Sequence, residues 1–325
     1  MPSVLITGTV LATLDDAELG ALQAAGWAVQ FAAQGAGATE DDLLELLRGH
    51  DAVVAGGEPY TRQVMARSPT LRHIARWGVG FDRVDLQAAT ELGVLVTTAQ
   101  GANDWAVADH TFALMLALAH GLVENDRGVR AGIWTRTVGA DVWRKTLGLV
   151  GLGRIGQGVA QRAWGFEMKV LAVEPYPDRV FVERYEIELL SLEQLLRRSD
   201  FVSLHLPASP KTRQVINADR LALMKPTAYL INTARGSLID EDSLYAALTE
   251  ERLAGAGLDV REREPPSDDR FYGLSNVVMT SHVAGVTRET AAAMSRMCAQ
   301  SILQATRGEL PTGLLNPEAW ETRRR

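Results

Sequence analysis

The stretch Thr146–Gly156, TLGLVGLGRIG, constrains this chain more than any other. An apolar run, Leu147 to Val150, leads into Gly151-x-Gly153-x-x-Gly156, and a helix-like stretch follows from Gln157 to Trp164. A second apolar run, Lys169 to Val173, ends at Glu174, about twenty positions after the loop. Three glycines at this spacing are weak evidence alone, because glycine is common in turns. A strand before them, a helix after and an acid beyond make the pattern informative. The first glycine makes the tight turn, the second admits a pyrophosphate to the backbone, and the third lets the helix pack on its strand. The helix N-terminus offers N–H groups and a positive dipole to the phosphates. Glu174 would accept hydrogen bonds from an adenosine ribose and repel a 2′-phosphate. Together they imply a dinucleotide site suited to NAD; the bland alternative is a structural glycine turn in an ordinary βαβ unit.

The flanking regions alternate short β-rich runs with helical patterns. Before the loop, Ser3–Thr7, Ala28–Ala32, Ala52–Ala55, Arg72–Arg76 and Val94–Thr97 read as strands. Thr13 (with Asp16 three on) and Thr39 read as helix N-caps, and Gly26 and Gly49 as helix stops. Residues 103–131 carry one long helical pattern, of a kind that bridges domains or packs on another subunit. After the loop, Phe201–Leu204, Ala228–Ile231, Ala254–Leu258 and Val277–Met279 are further strand candidates. Such alternation implies α/β architecture with parallel sheets covered on both faces. Arg288 to Arg307 reads as a final amphipathic helix returning to the first block, which makes that domain discontinuous: residues 1–100 with 286–325, around a dinucleotide domain of 101–285.

At 325 residues, two domains of ordinary size are accommodated. The 46% apolar and 22% charged content belongs to a globular chain, and the net charge of −7 gives no basic field for nucleic acid. The Arg323–Arg325 run reads as a solvated tail. Cys298 is alone, which excludes an intrachain disulfide framework and CxxC metal sites, and it reads as core. MPSVLITG lacks a basic n-region, and Thr111–Val123 is too short to span a bilayer. A reducing, cytoplasmic setting without membrane or metal is the expectation.

Ligands of open α/β sheets bind beyond the carboxyl ends of the strands. In the second block these ends carry Gly151, Glu174, His205, Asn232-Thr233-Ala234-Arg235-Gly236, Asp259 with Glu264, and Thr280-Ser281-His282. Reducing a keto acid needs hydride at carbon and a proton at oxygen. Histidine suits the proton step, a neighbouring carboxylate fixes its tautomer, and arginine grips a carboxylate or polarised carbonyl. Arg235, Glu264 and His282 form such a set. Each also has a bland reading: a structural histidine, a surface arginine, a Glu-Pro loop.

The stretches GLVGLGRIG, HLPASPKTR, YLINTARGSLID, AGLDVREREPP and TSHVAG, in order and spacing, resemble the D-isomer-specific 2-hydroxyacid dehydrogenases. The resemblance runs from about Gly56 to Pro317. It implies a Rossmann NAD domain, a flavodoxin-like substrate domain and a homodimer joined through the long helix. On the residues that match, it implies that Arg235 binds substrate, that His282 is the acid/base and that Glu264, rather than Glu262, partners it. It further implies that the turn Gly78-Val79-Gly80 holds the substrate carboxylate. Arg154, Ile155, Thr212, Ala234, Asp259, His282 and Gly285 join Gly151, Gly153, Gly156 and Glu174 as cofactor contacts, with Asp259 on the nicotinamide amide.

Two departures bear on substrate. Asp82-Arg83-Val84-Asp85 replaces the usual Asp-Asn-Val-Asp. The loop Val54–Thr61 lacks the arginine of phosphoglycerate dehydrogenases, a charge that Arg76 or Arg83 would have to replace. Trp77 and Trp105 are candidates for pocket walls or core. The implied activity is NAD-dependent interconversion of a small 2-hydroxy acid and its 2-keto acid, with hinge closure around the substrate. The alternatives are an NAD-binding corepressor-like regulator and phosphite-type oxidation; formate oxidation would call for glutamine where Glu264 stands.

Overall fold

The computed structural model describes residues 1–8, 19–34, 38–267 and 270–324. The Thr13 cap and its Asp16 partner lie outside the described residues. Two compact units are formed, Met1–Asn103 with Val286–Arg325, and Asp104–Gly285.

The first unit is a five-stranded parallel sheet of β1 (Ser3–Gly8), β2 (Ala28–Gln34), β3 (Ala52–Ala55), β4 (His73–Arg76) and β5 (Leu95–Thr98), ordered β2-β1-β3-β4-β5. That order is the flavodoxin-like one. Strands β3 to β5 are buried at every position, so they read as continuous runs rather than alternating ones. The helix Glu40–Leu46 starts where Thr39 and Asp42 form a reciprocal capping box. The helix Arg288–Thr306 lays Cys298, Ala299 and Ile302 on the core residues Val4, Ile6, Val54 and Ala75. Trp77 packs on this cluster and donates from Nε1 to Ser295 Oγ at 3.0 Å, which makes it part of the core.

Arg323 and Arg324 are not part of a solvated tail, and Arg325 lies outside the described residues. Arg324 donates to the carbonyls of Met65, Ser68, Leu71 and Leu92, and its own amide to Gly93 O. Arg323 stacks on Trp320. Helix and loop ends leave carbonyls without partners, and a guanidinium with five donors satisfies several at once.

The second unit carries β6 (Thr146–Val150), β7 (Lys169–Val173), β8 (Glu188–Leu189), β9 (Phe201–Leu204), β10 (Tyr229–Asn232), β11 (Gly255–Leu258) and β12 (Val277–Met279). All pair in parallel, in the order β12-β11-β10-β9-β6-β7-β8. From β6 the chain winds one way to β8, then returns to the other side of β6 at β9. The crevice between the ends of β6 and β9 is therefore the topological switch point, where doubly wound sheets bind their ligands.

The pattern over residues 103–131 is two helices rather than one. Asp104–Ala119 and Leu122–Arg130 meet at an angle of 62°. Gly121 sits between them at φ 57°, ψ 33°, a left-handed conformation that ends the first helix and re-aims the second. The first helix is largely buried, whereas no residue of the second is. Among the described residues, no single helix is long and apolar enough to cross a membrane.

Candidate active site

The glycine loop leaves β6 with Gly151 at φ 103°, where a Cβ would stand 2.5 Å from the His205 carbonyl oxygen. The loop is thus wedged against the end of β9. Gly156 backs onto Gly151 O with no room for a side chain, so the helix Arg154–Gly165 lies tight on its strand. Nothing lies within 4 Å of a Cβ built on Gly153, which leaves the backbone open to a ligand. Gly153 caps the helix without a side-chain bond, so the first amides, at Arg154, Ile155 and Gly156, face outward for an anion. Glu174, at the end of β7, takes the Leu152 amide on Oε2 (2.9 Å) and the Tyr176 amide on Oε1 (3.0 Å). This orients the carboxylate beside the loop, where a ribose would meet it. A wedged turn, an open backbone, free helix amides and an oriented acid fit a dinucleotide.

The neighbouring strands supply the rest of the edge. Beyond β9, His205 shares a hydrogen bond of 2.9 Å with Ser203, and burial of its ring pushes its pKa down to about 3, so it stays neutral. Thr212 folds back within the same loop, donating to Pro207 O at 2.8 Å. Beyond β10, Asn232 fixes Ala234 and Arg235: its Oδ1 takes the Ala234 amide and its Nδ2 donates to Arg235 O. Arg235 donates from Nη1 to Ala234 O at 2.6 Å.

Asp259 follows β11 and His282 follows β12. The Asp259 side chain is 1% exposed, yet it is not an isolated charge. Its Oδ1 accepts from Thr280 Oγ1 (2.6 Å) and the Val283 amide (2.9 Å), and its Oδ2 from the Ala284 amide (3.0 Å). His110 reaches the same group, with Nε2 at 2.9 Å from Thr280 Oγ1. These bonds brace the turn in which His282 adopts φ 57°. A non-glycine residue holds that conformation only where its surroundings enforce it. Oδ2 retains acceptor capacity for the carboxamide that the resemblance assigns to Asp259.

Glu264 is the partner that this turn presents to the histidine: His282 Nδ1 stands 2.7 Å from Glu264 Oε2. Because a carboxylate only accepts, Nδ1 carries the hydrogen and Nε2 is turned to the other side of the ring. Glu262 instead forms an ion pair with Arg213. Arg235, Glu264 and His282 follow the adjacent strands β10, β11 and β12, at one edge of one sheet. Gly285 closes the unit three residues after His282.

In the first unit, Gly78-Val79-Gly80 follows β4, with Gly78 at φ 142°. Gly78 O accepts the Ala99 amide, and Gly80 O accepts Arg76 Nε at 3.1 Å. Arg76 is 9% exposed, tied to this turn and donating from Nη1 to Ala55 O of the Val54–Thr61 loop. Glu58 of that loop is buried; burial pushes its carboxyl up, opposed by bonds from Thr7 and by the Arg76 charge. Trp105 is 57% exposed in the second unit, with the Arg162 guanidinium over its ring.

The sequence places Thr280 at this strand end without giving it a role, and it does not point to His110, Glu241 or Arg261 as neighbours of the site. Arg261 and Glu241 are 20 positions apart, and His110 sits in a helix that reads as apolar packing.

Comparison with known proteins agrees with this geometry. The model of the D-isomer specific 2-hydroxyacid dehydrogenase NAD binding domain matches residues 112–284. A glyoxylate reductase of Korarchaeum cryptofilum is 41% identical over 86% of this chain and 87% of its own. The TT0316 protein of Thermus thermophilus has a crystal structure with a TM-score of 0.87 and 37% identity, over 96% of this chain and 99% of that one. The D-lactate dehydrogenase of Aquifex aeolicus, complexed with NAD and lactic acid, aligns at TM-score 0.84 and 28% identity, over 96% and 99%. The relatives are enzymes, which does not favour a regulatory alternative. A nicotinamide-dinucleotide loop, a histidine–carboxylate couple on the same sheet edge, and relatives spanning nearly the whole chain converge: the protein belongs to the D-isomer specific 2-hydroxyacid dehydrogenase family.

Proposed function

We propose that this NAD-dependent oxidoreductase reduces a small, unphosphorylated 2-keto acid to its 2-hydroxy acid, with His282 as acid, Glu264 as its partner and Arg235 on the substrate. The observation that carries the reading is the 2.7 Å contact between His282 and Glu264, on the strand edge that also bears Arg235 and the glycine loop. A reduced nicotinamide dinucleotide held at the Gly151–Gly156 loop would supply the hydride to C2. His282, donating from Nδ1 to Glu264, presents Nε2 and delivers its proton to the carbonyl oxygen as charge develops there. Glu264 stabilises the imidazolium before transfer. Arg235 holds the carboxylate or the carbonyl oxygen with charge-assisted bonds, and the amides of the Gly78–Gly80 turn are assigned the substrate carboxylate.

The names of the glyoxylate reductase and D-lactate dehydrogenase relatives support a small substrate, and the buried carboxyl of Glu58 argues against a phosphate site in the Val54–Thr61 loop. NAD rather than NADP is the cofactor favoured by Glu174, whose carboxylate would face a 2′-phosphate. A homodimer is supported by the exposed apolar residues Leu122, Ile133, Trp134, Val138 and Trp143, which a second copy would cover. A cytoplasmic setting is the reading that the lone, buried Cys298 supports. A panel of 2-keto acids, followed by NADH oxidation, tests the reading. Turnover of glyoxylate, pyruvate or a near relative is expected, and no turnover across the panel rejects it.

A further inference from the structure

We propose that the buried Arg261–Glu241 ion pair positions the acid/base couple, holding Glu264 so that one oxygen is taken by its own loop and the other is left for His282. The proposal rests on the acid/base reading given above. Arg261 forks onto Glu241, Nε to Oε1 at 2.9 Å and Nη2 to Oε2 at 3.0 Å. The side chains are 8% and 14% exposed. The guanidinium also lies 4.5 Å from the ring centroid of fully buried Phe271. Burial alone would push the Glu241 carboxyl up, but the fork and the Glu262 amide outweigh it and hold it below the usual carboxylate range. Glu241 therefore stays charged, at the first position of the helix Glu241–Thr249, where the dipole favours an acid.

The same two residues control the backbone that carries Glu264. The Glu262 amide donates to Glu241 Oε1 at 2.8 Å, and the Arg261 amide to Glu264 Oε1 at 3.0 Å. That amide and the His282 ring thus engage opposite oxygens of the Glu264 carboxylate. With Oε1 pinned, Oε2 is aimed at Nδ1. A forked, planar guanidinium fixes orientation as well as charge, which an ammonium does not. The helix end thus acts as the rigid base from which Glu264 is set.

The test uses the full-length protein with Arg261→Met, Arg261→Lys and the paired Glu241→Leu/Arg261→Met exchange. Three quantities are read: kcat against KM, NADH affinity by fluorescence, and the ring 15N shifts of His282 in nucleotide-free protein. Arg261→Met is expected to lower kcat by about ten- to a hundredfold, as a misplacement near 1 Å can. KM and NADH affinity change little, and the 15N shifts move from one tautomer to a mixture. Arg261→Lys recovers only part. The apolar double exchange removes both charges together, which buried pairs often tolerate, and so reports even if Arg261→Met fails to fold. Wild-type kcat and wild-type 15N shifts in either Arg261→Met or the double exchange would overturn the proposal. Silent Glu264→Gln and His282→Ala variants would instead reject the acid/base reading, while the 15N shifts still decide whether the pair orients the ring.

Discussion

Gly236 packs directly against the backbone of Arg261, at the carbonyl and the following Glu262 amide, with no space for a Cβ. The residue after Arg235 is thereby interlocked with the loop that carries Glu264, and two parts of the site are held in register. Gly236→Ala should push the loops apart. The expected result is a loss in kcat of at least about tenfold, with NADH binding retained, because interior backbone has little room to yield. Steady-state kinetics beside a fluorescence titration would check it, and unchanged kcat would show the interlock to be irrelevant.

Asp259 braces the turn of His282 through three hydrogen bonds. Asp259→Ala leaves two amides and a hydroxyl without their acceptor, at about 1–3 kcal/mol for each group that water cannot reach. We expect a lower unfolding midpoint in denaturant and a large fall in kcat. A variant with wild-type stability would mean that the turn holds φ 57° without this brace.

Cofactor choice should follow Glu174. Wild-type protein is expected to prefer NADH over NADPH, and Glu174→Ser to narrow that preference while weakening NADH. Both effects are read from kcat/KM with each cofactor. An initial preference for NADPH would remove Glu174 from the ribose and direct attention to exposed Arg179, at the start of the next helix.

Burial lowers the His73 pKa to about 3 from 6.5, with the ring 3% exposed and bonded to Thr97. Between those values the unfolded chain binds a proton that the folded one refuses. Its contribution to stability is therefore intact above 6.5 and declines as pH falls towards 3, by about 1.4 kcal/mol per unit. Denaturant unfolding at pH 7 and pH 5 measures this. Because buried His205 titrates in the same way, His73→Gln should reduce the slope without abolishing it, and an equal slope in the variant would contradict it.

Much of this was legible in the sequence because buried parallel strands announce themselves. Runs such as Lys169–Val173 and Phe201–Leu204 are apolar almost throughout, and polar residues gather where each stops. That pattern located Gly151, Glu174, Arg235 and His282 on one edge. Other features left no local trace. β8 is two half-buried residues at a sheet edge, too short for a periodic signal. Gly121 is tolerated within a helical pattern, and only its left-handed backbone reveals the break. Arg324 has the composition of a solvated tail, and its role depends on carbonyls far away in the chain. The brace at Asp259 and the fork at Arg261 depend on partners about twenty positions away, beyond the reach of periodicity or spacing.

The central assignment is that His282 delivers the proton. It is tested most directly by His282→Ala, measured with the best substrate of the 2-keto acid panel. The expected result is a fall in kcat of about a hundred- to ten-thousandfold, with NADH affinity retained, as for loss of a positioned general acid. Turnover equal to the wild type would contradict the account.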